Sequence, residues 1–262
     1  MPSPDRITKL EAVVISHRDF GEADRFIRLF SRELGKMDAI AKGVRKARSR
    51  KAAHLEPFTH VALVLARGQS AWIITQADML TAFNAIRDDL RKTAQAAYVV
   101  ELADRLTAQD QADSAVFRLV LETLKRLDQL ADPFNALCHY ELHLLNLTGF
   151  RPEFFKCVDC GSEIQPQDQF FSARLGGVLC PQCGSGIGEF ERLNLSALRY
   201  LRHFSRSTYT ESARVNVTEA TRGEMHRVIG AHIRFVTERR LHSPDFLNHL
   251  NHLETRGRPY GE

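Results

Sequence analysis

The sequence predicts an α+β protein in which an N-terminal five-stranded β-barrel of OB type precedes an α-helical domain with a zinc-ribbon-like insertion. Three observations predict this fold class: five short strand patterns, apolar repeats at helical spacing after them, and two cysteine pairs that interrupt the helical region. The predicted segments are the barrel at 1–83, the helical domain at 84–156 and 191–253, the insertion at 157–190, and a disordered tail at 254–262.

Five runs rich in β-branched and aromatic residues predict the strands of the barrel. They cover 10–16, 25–31, 36–41, 60–66 and 71–76. Glycine-containing breakers separate the runs, as expected for tight turns. Five strands in so short a stretch are typical of a closed OB barrel, and a five-stranded SH3-like barrel would give a similar pattern.

The connection between the third and fourth predicted strands has the densest positive charge in the chain. Its six cations, with no acid among them, are Lys42, Arg45, Lys46, Arg48, Arg50 and Lys51. A solvated loop is the alternative interpretation, but like charges this close repel one another unless a counter-charge is normally present. A nucleic-acid backbone supplies that counter-charge, so we predict that these side chains bind DNA. Phe20 and Trp72 are candidate stacking residues, with core packing as the alternative for each.

Helical spacing of apolar residues begins after residue 84 and resumes after the cysteine pairs. Pro133 is predicted in the first turn of the third helix, with Asp132 as its N-cap. Thr221 and Glu224 have the spacing of a capping box at the start of the last long helix.

Some residues on these helices admit both a functional and a structural interpretation. Cys138 and His232 lie on apolar stripes, so we interpret them as core residues, a small hydrophobe and a hydrogen-bonded histidine. Four arginines on the outer side of the last helix either extend a DNA path or are simply solvated. They are Arg227, Arg234, Arg239 and Arg240.

Two C-x-x-C pairs, Cys157 with Cys160 and Cys180 with Cys183, organise the insertion. Two cysteines three positions apart in a tight turn can place both thiolates on one ion, and two such turns complete the tetrahedral four-sulfur shell that zinc favours. Four thiolates leave no open position for water, so the predicted Zn²⁺ is structural. A redox disulfide or an iron site is the alternative.

The residues around the cysteines predict further local structure. Gly161 and Gly184 each follow the second cysteine of a pair, where a positive φ is expected. Residues 169–172 and 177–179 predict two short strands between the pairs.

The composition of the chain, and the motifs that it lacks, narrow the range of possible functions. The net charge is +4, with basic ends and an acidic middle, which favours a polyanionic partner. The chain lacks both a run of about 18 apolar residues and a secretory leader pattern, so we expect a cytoplasmic protein without a membrane partner. It also lacks a P-loop, a G-x-S-x-G motif and clustered carboxylate pairs, so we expect no enzyme activity.

Several motifs occur along nearly the whole chain: Gly21-Glu-Ala-Asp24, Phe30-Ser31, Gly35, Ala41-Lys-Gly-Val-Arg45, Leu55-Glu-Pro-Phe58, Gly149-Phe-Arg-Pro152 before Cys157-x-x-Cys160-Gly, and Leu241-His-Ser-Pro-Asp-Phe-Leu247. Together they resemble the bacterial recombination mediator family RecO. The resemblance implies an OB barrel, a helical domain with a zinc-binding insertion, and no enzymatic turnover. It also implies binding to single- and double-stranded DNA, strand annealing, and loading of RecA with RecR on DNA coated by single-strand-binding protein. Such a protein would act at the bacterial nucleoid.

Two other functions stay open at this point. One is a zinc-containing adaptor whose basic loop binds acidic protein tails, such as the tail of single-strand-binding protein. The other is a DNA-processing enzyme, a nuclease or a deaminase, although the H-x-E…P-C-x-x-C pattern of zinc deaminases is missing.

Overall fold

The computed structural model describes residues 7–186 and 190–237. These residues form two compact units, unit 1 up to Leu130 and unit 2 from Ala131. The predicted segment boundaries stay predictions, since the structural division follows compactness rather than those boundaries. The predicted disordered tail, 254–262, lies outside the described residues.

Unit 1 begins with a closed barrel of five strands in the order β1-β2-β3-β5-β4. The strands are β1 (Ile7–Phe20), β2 (Asp24–Ser31), β3 (Gly35–Ala41), β4 (His60–Arg67) and β5 (Trp72–Thr81). β3 and β5 pair in parallel, whereas the other neighbours pair antiparallel. This topology confirms the predicted OB-type barrel over the SH3-like alternative.

Aliphatic side chains fill the barrel interior and alternate with outward-facing positions along each strand. Ile27 and Leu29 of β2 and Leu65 of β4 are fully buried. Val44 and Leu55, from the β3–β4 connection, belong to the same apolar cluster. Both ends of the basic loop are therefore anchored in the core.

In the described residues of unit 1, three helices follow the barrel: α1 (Asn84–Asp88), α2 (Leu90–Leu106) and α3 (Ser114–Gln129). Phe117 of α3 stacks with Phe30 of β2, with ring centroids 6.4 Å apart. Lys36 of β3 is buried and donates to the carbonyl oxygens of Asp104 and Thr107 at 2.6 and 2.8 Å. These contacts cover part of the outer barrel surface and join the helices to the barrel.

Gly35 marks the close approach between the α2–α3 connection and the barrel. Its φ is +70°, and a Cβ at this position would overlap the carbonyl oxygen of Gln111. In Gly35→Ala, the new Cβ would cause this overlap, and an alanine would also have to adopt a left-handed backbone conformation. We therefore expect the substitution to lower the free energy of unfolding by about 3 kcal/mol. Denaturation in urea would measure the change.

Gly21 provides the matched control for that substitution. It has a similar φ, +58°, but a Cβ there would have no neighbour within 4 Å. Gly21→Ala is therefore expected to cost only about 1 kcal/mol. Equal losses in the two variants would show that the contact with Gln111 is not what constrains Gly35.

The described residues of unit 2 combine five helices with a three-stranded sheet in the order β7-β6-β8. The helices are α4 (Phe134–Leu147), α5 (Pro181–Gly184), α6 (Leu195–Arg206), α7 (Tyr209–Ser212) and α8 (Glu219–Val236), and the strands are β6 (Gln169–Ser172), β7 (Gly177–Leu179) and β8 (Glu191–Leu193). β6 and β7 confirm the two strands predicted in the insertion. β8 has no counterpart in the prediction because its three residues form a strand only by pairing with β6.

The predicted start of α4 is displaced by one residue. The helix begins at Phe134, and Pro133 occupies the capping position instead of the first helical turn. The Asp132 carboxylate still accepts a hydrogen bond from the Phe134 amide at 3.1 Å. Cys138 is 2% exposed within this helix, which confirms its predicted place in the core.

The capping box predicted for α8 is wrong. The helix is capped by Thr218 and begins at Glu219, so Thr221 lies inside it. Glu224 is buried and accepts a hydrogen bond from the Asn194 amide at 2.6 Å, which links α8 to the start of α6. None of the helices in residues 7–186 and 190–237 has the length and apolar character that a membrane span requires.

Candidate nucleic-acid interface and metal centre

The six predicted DNA-binding cations have two different environments in the β3–β4 connection. Four of them are exposed and have no carboxylate of the described residues within ion-pair distance, and we call these the unpaired cations. They are Lys42, Lys46, Arg48 and Arg50. A surface with this charge and no internal partner can exchange its small counterions for the phosphates of a nucleic acid.

The other two cations bind the protein itself. Arg45 Nε lies 3.4 Å from Asp19 Oδ2, and Arg45 Nη1 donates to the Gly21 carbonyl oxygen at 3.4 Å. Lys51 is half-buried and donates to the Ile74 carbonyl oxygen at 3.1 Å. Arg45 therefore links the loop to the β1–β2 turn, and Lys51 links it to β5.

Backbone hydrogen bonds reinforce the link to the β1–β2 turn. The Gly43 amide donates to Asp24 Oδ1 at 2.7 Å, and the Arg45 amide donates to the Ala23 carbonyl oxygen at 2.9 Å. Two of the motifs that carry the family resemblance, 21–24 and 41–45, therefore lie side by side. Their shared role is to hold the cationic loop against the end of the hairpin.

An ion-pair network lies beside the loop, and two of its members, Arg25 and Glu56, line a shallow cavity of about 380 Å³ together with loop residues. Arg25 donates to Glu56 at 3.0 Å and to Asp19 at 3.1 Å, and His17 Nε2 lies 3.1 Å from Glu56. Burial would raise the pKa of Glu56, but its hydrogen bonds with His17 and Arg25 outweigh burial and hold that pKa below its ordinary value. Arg25 is thus already neutralised by acids and does not join the unpaired cations.

The two candidate stacking residues lie in different environments. Trp72 packs against the apolar cluster of the barrel interior, and Arg67 lies 5.1 Å from the centre of its ring. Phe20 is 46% exposed, and its ring centroid is 4.4 Å from that of Phe26. The Arg18 guanidinium lies 4.5 Å from the Phe26 ring. The sequence did not single out Phe26 or Arg18, although strand alternation places both on the side of Phe20.

Two of the four arginines predicted on the outer side of α8 lie in the described residues, and their environments differ. Arg227 Nη1 lies 3.1 Å from Glu191 Oε2, so an acid neutralises its charge. Arg234 is exposed. Arg239 and Arg240 lie outside the described residues.

The four predicted metal ligands converge in unit 2. The Sγ atoms of Cys157, Cys160, Cys180 and Cys183 all lie within 4.8 Å of one another, and those of Cys160 and Cys180 are 3.8 Å apart. A tetrahedral shell with metal–sulfur distances of about 2.3 Å places its sulfurs about 3.8 Å apart. All four are free thiols. They could hold one metal ion, and a four-sulfur tetrahedral set is one that zinc favours.

Hydrogen bonds shift the pKa values of two of the four thiols in opposite directions. The Ser162 hydroxyl, 3.0 Å from Cys160 Sγ, lowers the pKa of that thiol to about 6. The pKa of Cys183 is raised by its interaction with Asp159 and then by the neighbouring Cys180. Four thiolates in so small a volume would repel one another, and a bound divalent metal ion would offset that repulsion.

Backbone pairing holds the two cysteine turns together in the metal lobe, by which we mean residues 153–184. The Val158 amide donates to the Val178 carbonyl oxygen at 3.0 Å, and the Val178 amide donates to the Glu153 carbonyl oxygen at 2.8 Å. The Cys180 amide lies 3.4 Å from Cys157 Sγ. The first cysteine turn is thus bonded to β7, which leads directly into the second.

Helices α6 and α8 support the metal lobe from one side. Arg202 of α6 donates to the Phe154 carbonyl oxygen at 2.8 Å. His232 of α8 meets Phe171 edge to face at 5.9 Å, and its Nε2 lies 2.8 Å from the Phe150 carbonyl oxygen. His232 is 3% exposed, which confirms its predicted core role, and this burial lowers the pKa of its ring.

The glycines that follow the cysteine pairs have different roles. Gly161 has a φ of +74°, as predicted. The prediction of a positive φ at Gly184 is wrong, because Gly184 ends the short helix α5 with ordinary helical backbone. A Cβ there would overlap the Phe170 ring, so close packing is what constrains this position.

Comparison with known proteins covers both units. Residues 6–83 match the family model described as Recombination protein O N terminal, and residues 87–245 match Recombination protein O C terminal. The chain is 35% identical to the DNA repair protein RecO of Roseiflexus sp. (strain RS-1) over 250 residues, which are 95% of this chain and 88% of that one. It is 37% identical to the DNA repair protein RecO of Symbiobacterium thermophilum over 245 residues, 92% of this chain and 96% of that one. An OB-type barrel with a cationic loop, a helical region with a four-cysteine centre, and these matches place the chain in the RecO family of DNA repair proteins.

Proposed function

We propose that the protein is a non-enzymatic recombination mediator that binds single- and double-stranded DNA and anneals complementary strands. With RecR, it helps to load RecA on DNA coated by single-strand-binding protein, whose acidic tail it contacts. Its place of action is the nucleoid in the bacterial cytoplasm. Membership of the RecO family supports the partners, and the geometry of the barrel loop supports the contact with DNA.

The unpaired cations are the observation that carries this proposal. A cation already paired with a carboxylate must give up that pair to bind a phosphate, whereas Lys42, Lys46, Arg48 and Arg50 release only small counterions. The loop ends, at Val44 and Leu55, are buried in the barrel core. A loop anchored in this way loses less conformational entropy on binding than a free segment would.

We also propose that Cys157, Cys160, Cys180 and Cys183 hold one structural Zn²⁺. Such an ion stabilises the fold that its ligands close, and a complete set of four thiolates leaves it no position for an activated water. The metal lobe belongs to unit 2 and the unpaired cations to unit 1. We therefore assign no step of DNA binding to the metal.

The direct test is annealing of two complementary dye-labelled oligonucleotides without any nucleotide cofactor. The protein is expected to raise the annealing rate above the spontaneous rate, because cations that neutralise both strands offset the repulsion between two polyanions. Energy transfer between the dyes measures the rate. A denaturing gel of the products is expected to show both strands at full length, as a non-enzymatic protein requires.

Two results would contradict the proposal. Annealing at the spontaneous rate would remove the mediator function, and strand cleavage that persists through a second purification step would favour a DNA-processing enzyme. Binding to an acidic peptide without any binding to naked DNA would favour the adaptor function instead.

A further inference from the structure

We infer that the outer face of the barrel at the end of the β1–β2 hairpin is a stacking site for unpaired nucleobases, with Phe20 as its exposed surface. This inference rests on the proposed DNA-binding function and adds to it the feature of DNA that is recognised. The unpaired cations bind phosphates, which single and double strands both offer. A stacking site binds base faces, which only unpaired strands offer.

Strand alternation places the site on the outside of the barrel. Ile27 of β2 is fully buried in the interior, so its neighbour Phe26 lies on the opposite face. Arg18 of β1 pairs with Phe26, and Phe20 lies two residues further along the same strand. The three side chains therefore share one face of the hairpin, away from the apolar cluster.

Further along β2, helices of unit 1 pack on this outer face, in contrast to the exposed end of the hairpin. Phe30, further along β2, is 1% exposed because Phe117 of α3 packs on it. Arg28 Nε lies 2.9 Å from Asp104 Oδ1 of α2. By contrast, Phe20 is 46% exposed. The helices of unit 1 thus leave the aromatic end of the hairpin open.

Phe20 and Phe26 form a tilted pair whose ring centroids are 4.4 Å apart. The Arg18 guanidinium lies 4.5 Å from the Phe26 ring, on a residue with no carboxylate partner in the described part of the chain. An arginine that packs against an aromatic ring adds its planar, positively charged guanidinium to the surface that the ring provides. A base could stack on the exposed ring while a neighbouring phosphate meets the guanidinium.

Charge favours a nucleic acid over an apolar protein segment as the occupant. Lys42, one of the unpaired cations, follows directly after β3, and Ile40 of β3 pairs with Phe26. The Gly43 amide is bonded to Asp24 in the hairpin itself. Cations therefore border the aromatic surface, and exposed rings beside a cationic path are the arrangement by which proteins bind single strands without sequence preference.

The test compares Phe20→Ala with the unaltered protein on three ligands of equal length: single-stranded DNA, duplex DNA, and a single strand of abasic sites. We expect Phe20→Ala to weaken binding to the single strand about tenfold, since one base loses its stacking partner. Binding to the duplex and the abasic strand should change less than about twofold, because neither presents an unpaired base. Phe20→Trp is expected to restore binding to the single strand.

Leu80→Ala is the matched control, because Leu80 is a 51% exposed apolar residue of β5 in the same unit. It should leave all three affinities unchanged. An equal loss on all three ligands in Phe20→Ala would show that Phe20 positions the phosphate site, and no loss on any of them would remove the stacking site. Either result overturns the inference.

The proposed function and the stacking inference can fail separately. If the unaltered protein binds none of the three ligands, both fall. If it binds and anneals DNA but Phe20→Ala still binds the normal single strand as tightly as before, only the stacking inference falls.

Discussion

Reversal of Lys46, Arg48 and Arg50 to glutamate is expected to lower the affinity for single-stranded DNA about 100-fold in 0.1 M salt. For single strands, each phosphate contact raises the logarithm of the binding constant by about 0.7 for every tenfold decrease in salt concentration. Between 1 M and 0.1 M salt, the loss of three contacts therefore lowers the binding constant by about two orders of magnitude. All three residues are exposed and have no carboxylate partner in the described residues, so the barrel should stay folded. Fluorescence anisotropy of labelled oligonucleotides would measure the affinity.

The salt dependence gives an independent measure of the same contacts. If the unpaired cations and up to two further groups neutralise four to six phosphates, log K should fall with log salt at a slope of about −3 to −4. The triple variant should be shallower by about two units. The triple variant should lose affinity to a similar extent for DNA of any base sequence, because phosphate contacts do not distinguish one base from another. Annealing should fall together with affinity.

Arg45 and Lys51 are left intact in this variant because both have structural partners. An acid at position 45 would lie beside Asp19, which now pairs with Arg45. The control reverses three exposed cations elsewhere, Lys9, Arg118 and Arg174, and so makes the same change in net charge. Equal losses in the two variants would mean that net charge decides the affinity. An unchanged affinity in the loop variant would move the DNA site off the loop and favour the adaptor function.

Cys180→Ser is expected to abolish metal binding and to destabilise the metal lobe. Structural zinc contributes roughly 10–16 kcal/mol of apparent folding free energy in zinc-finger peptides. This lobe also buries Phe154 and Phe171, at 1% exposure each, so it does not depend on the metal alone. We therefore expect a smaller loss in the intact chain, on the order of 3–5 kcal/mol.

Elemental analysis should show one zinc per chain in the unaltered protein and none in the variant. Hydrogen exchange should show faster exchange at the Val158 and Val178 amides, which are bonded across the two cysteine turns. The strands of the barrel, in the other unit, should keep their protection. Annealing by the variant should persist, because the metal lobe supplies none of the unpaired cations.

Cys138→Ala is the control for removal of a thiol. Cys138 is buried in α4 and does not belong to the four-cysteine cluster, so this variant should retain its zinc. If Cys180→Ser also retained one zinc per chain, the four thiolates would not be the ligand set. Absence of metal from the unaltered protein, purified without chelators, would equally contradict the zinc proposal.

The sequence predicted the number and positions of the barrel strands better than it predicted their lengths. Residues 10–16 predicted β1, which runs from Ile7 to Phe20. The β-branched core of the strand is a local signal, whereas its last residues, from His17 onward, are strand because they pair with β2. The exposed aromatic end of the hairpin belongs to this unpredicted extension.

The four-cysteine cluster was the most predictable part of the chain. Two cysteines three residues apart are close in any tight turn, so spacing along the chain specifies half of the cluster. That the two halves meet depends on the bond between Val158 and Val178, which the sequence pattern does not indicate. Gly184 shows the same limit, because the Phe170 ring that constrains it belongs to β6, which is distant from α5 in sequence.

The cationic loop shows most clearly which features depend on local sequence and which depend on tertiary contacts. By itself, the sequence determined a five-stranded barrel followed by helices, the four-cysteine cluster and the density of positive charge, since these depend on periodicity, spacing and composition. The strand order, which distinguishes an OB-type barrel from an SH3-like one, came from the tertiary structure. Only the tertiary structure decided which cations remain unpaired, because Asp19 and Ile74, the partners of Arg45 and Lys51, are distant in sequence. The same holds for Phe20, since strand alternation decides its face but the packing of α2 and α3 decides that it stays exposed. Ion pairing and burial depend on which segments meet in space, and periodicity along a single segment does not contain that information.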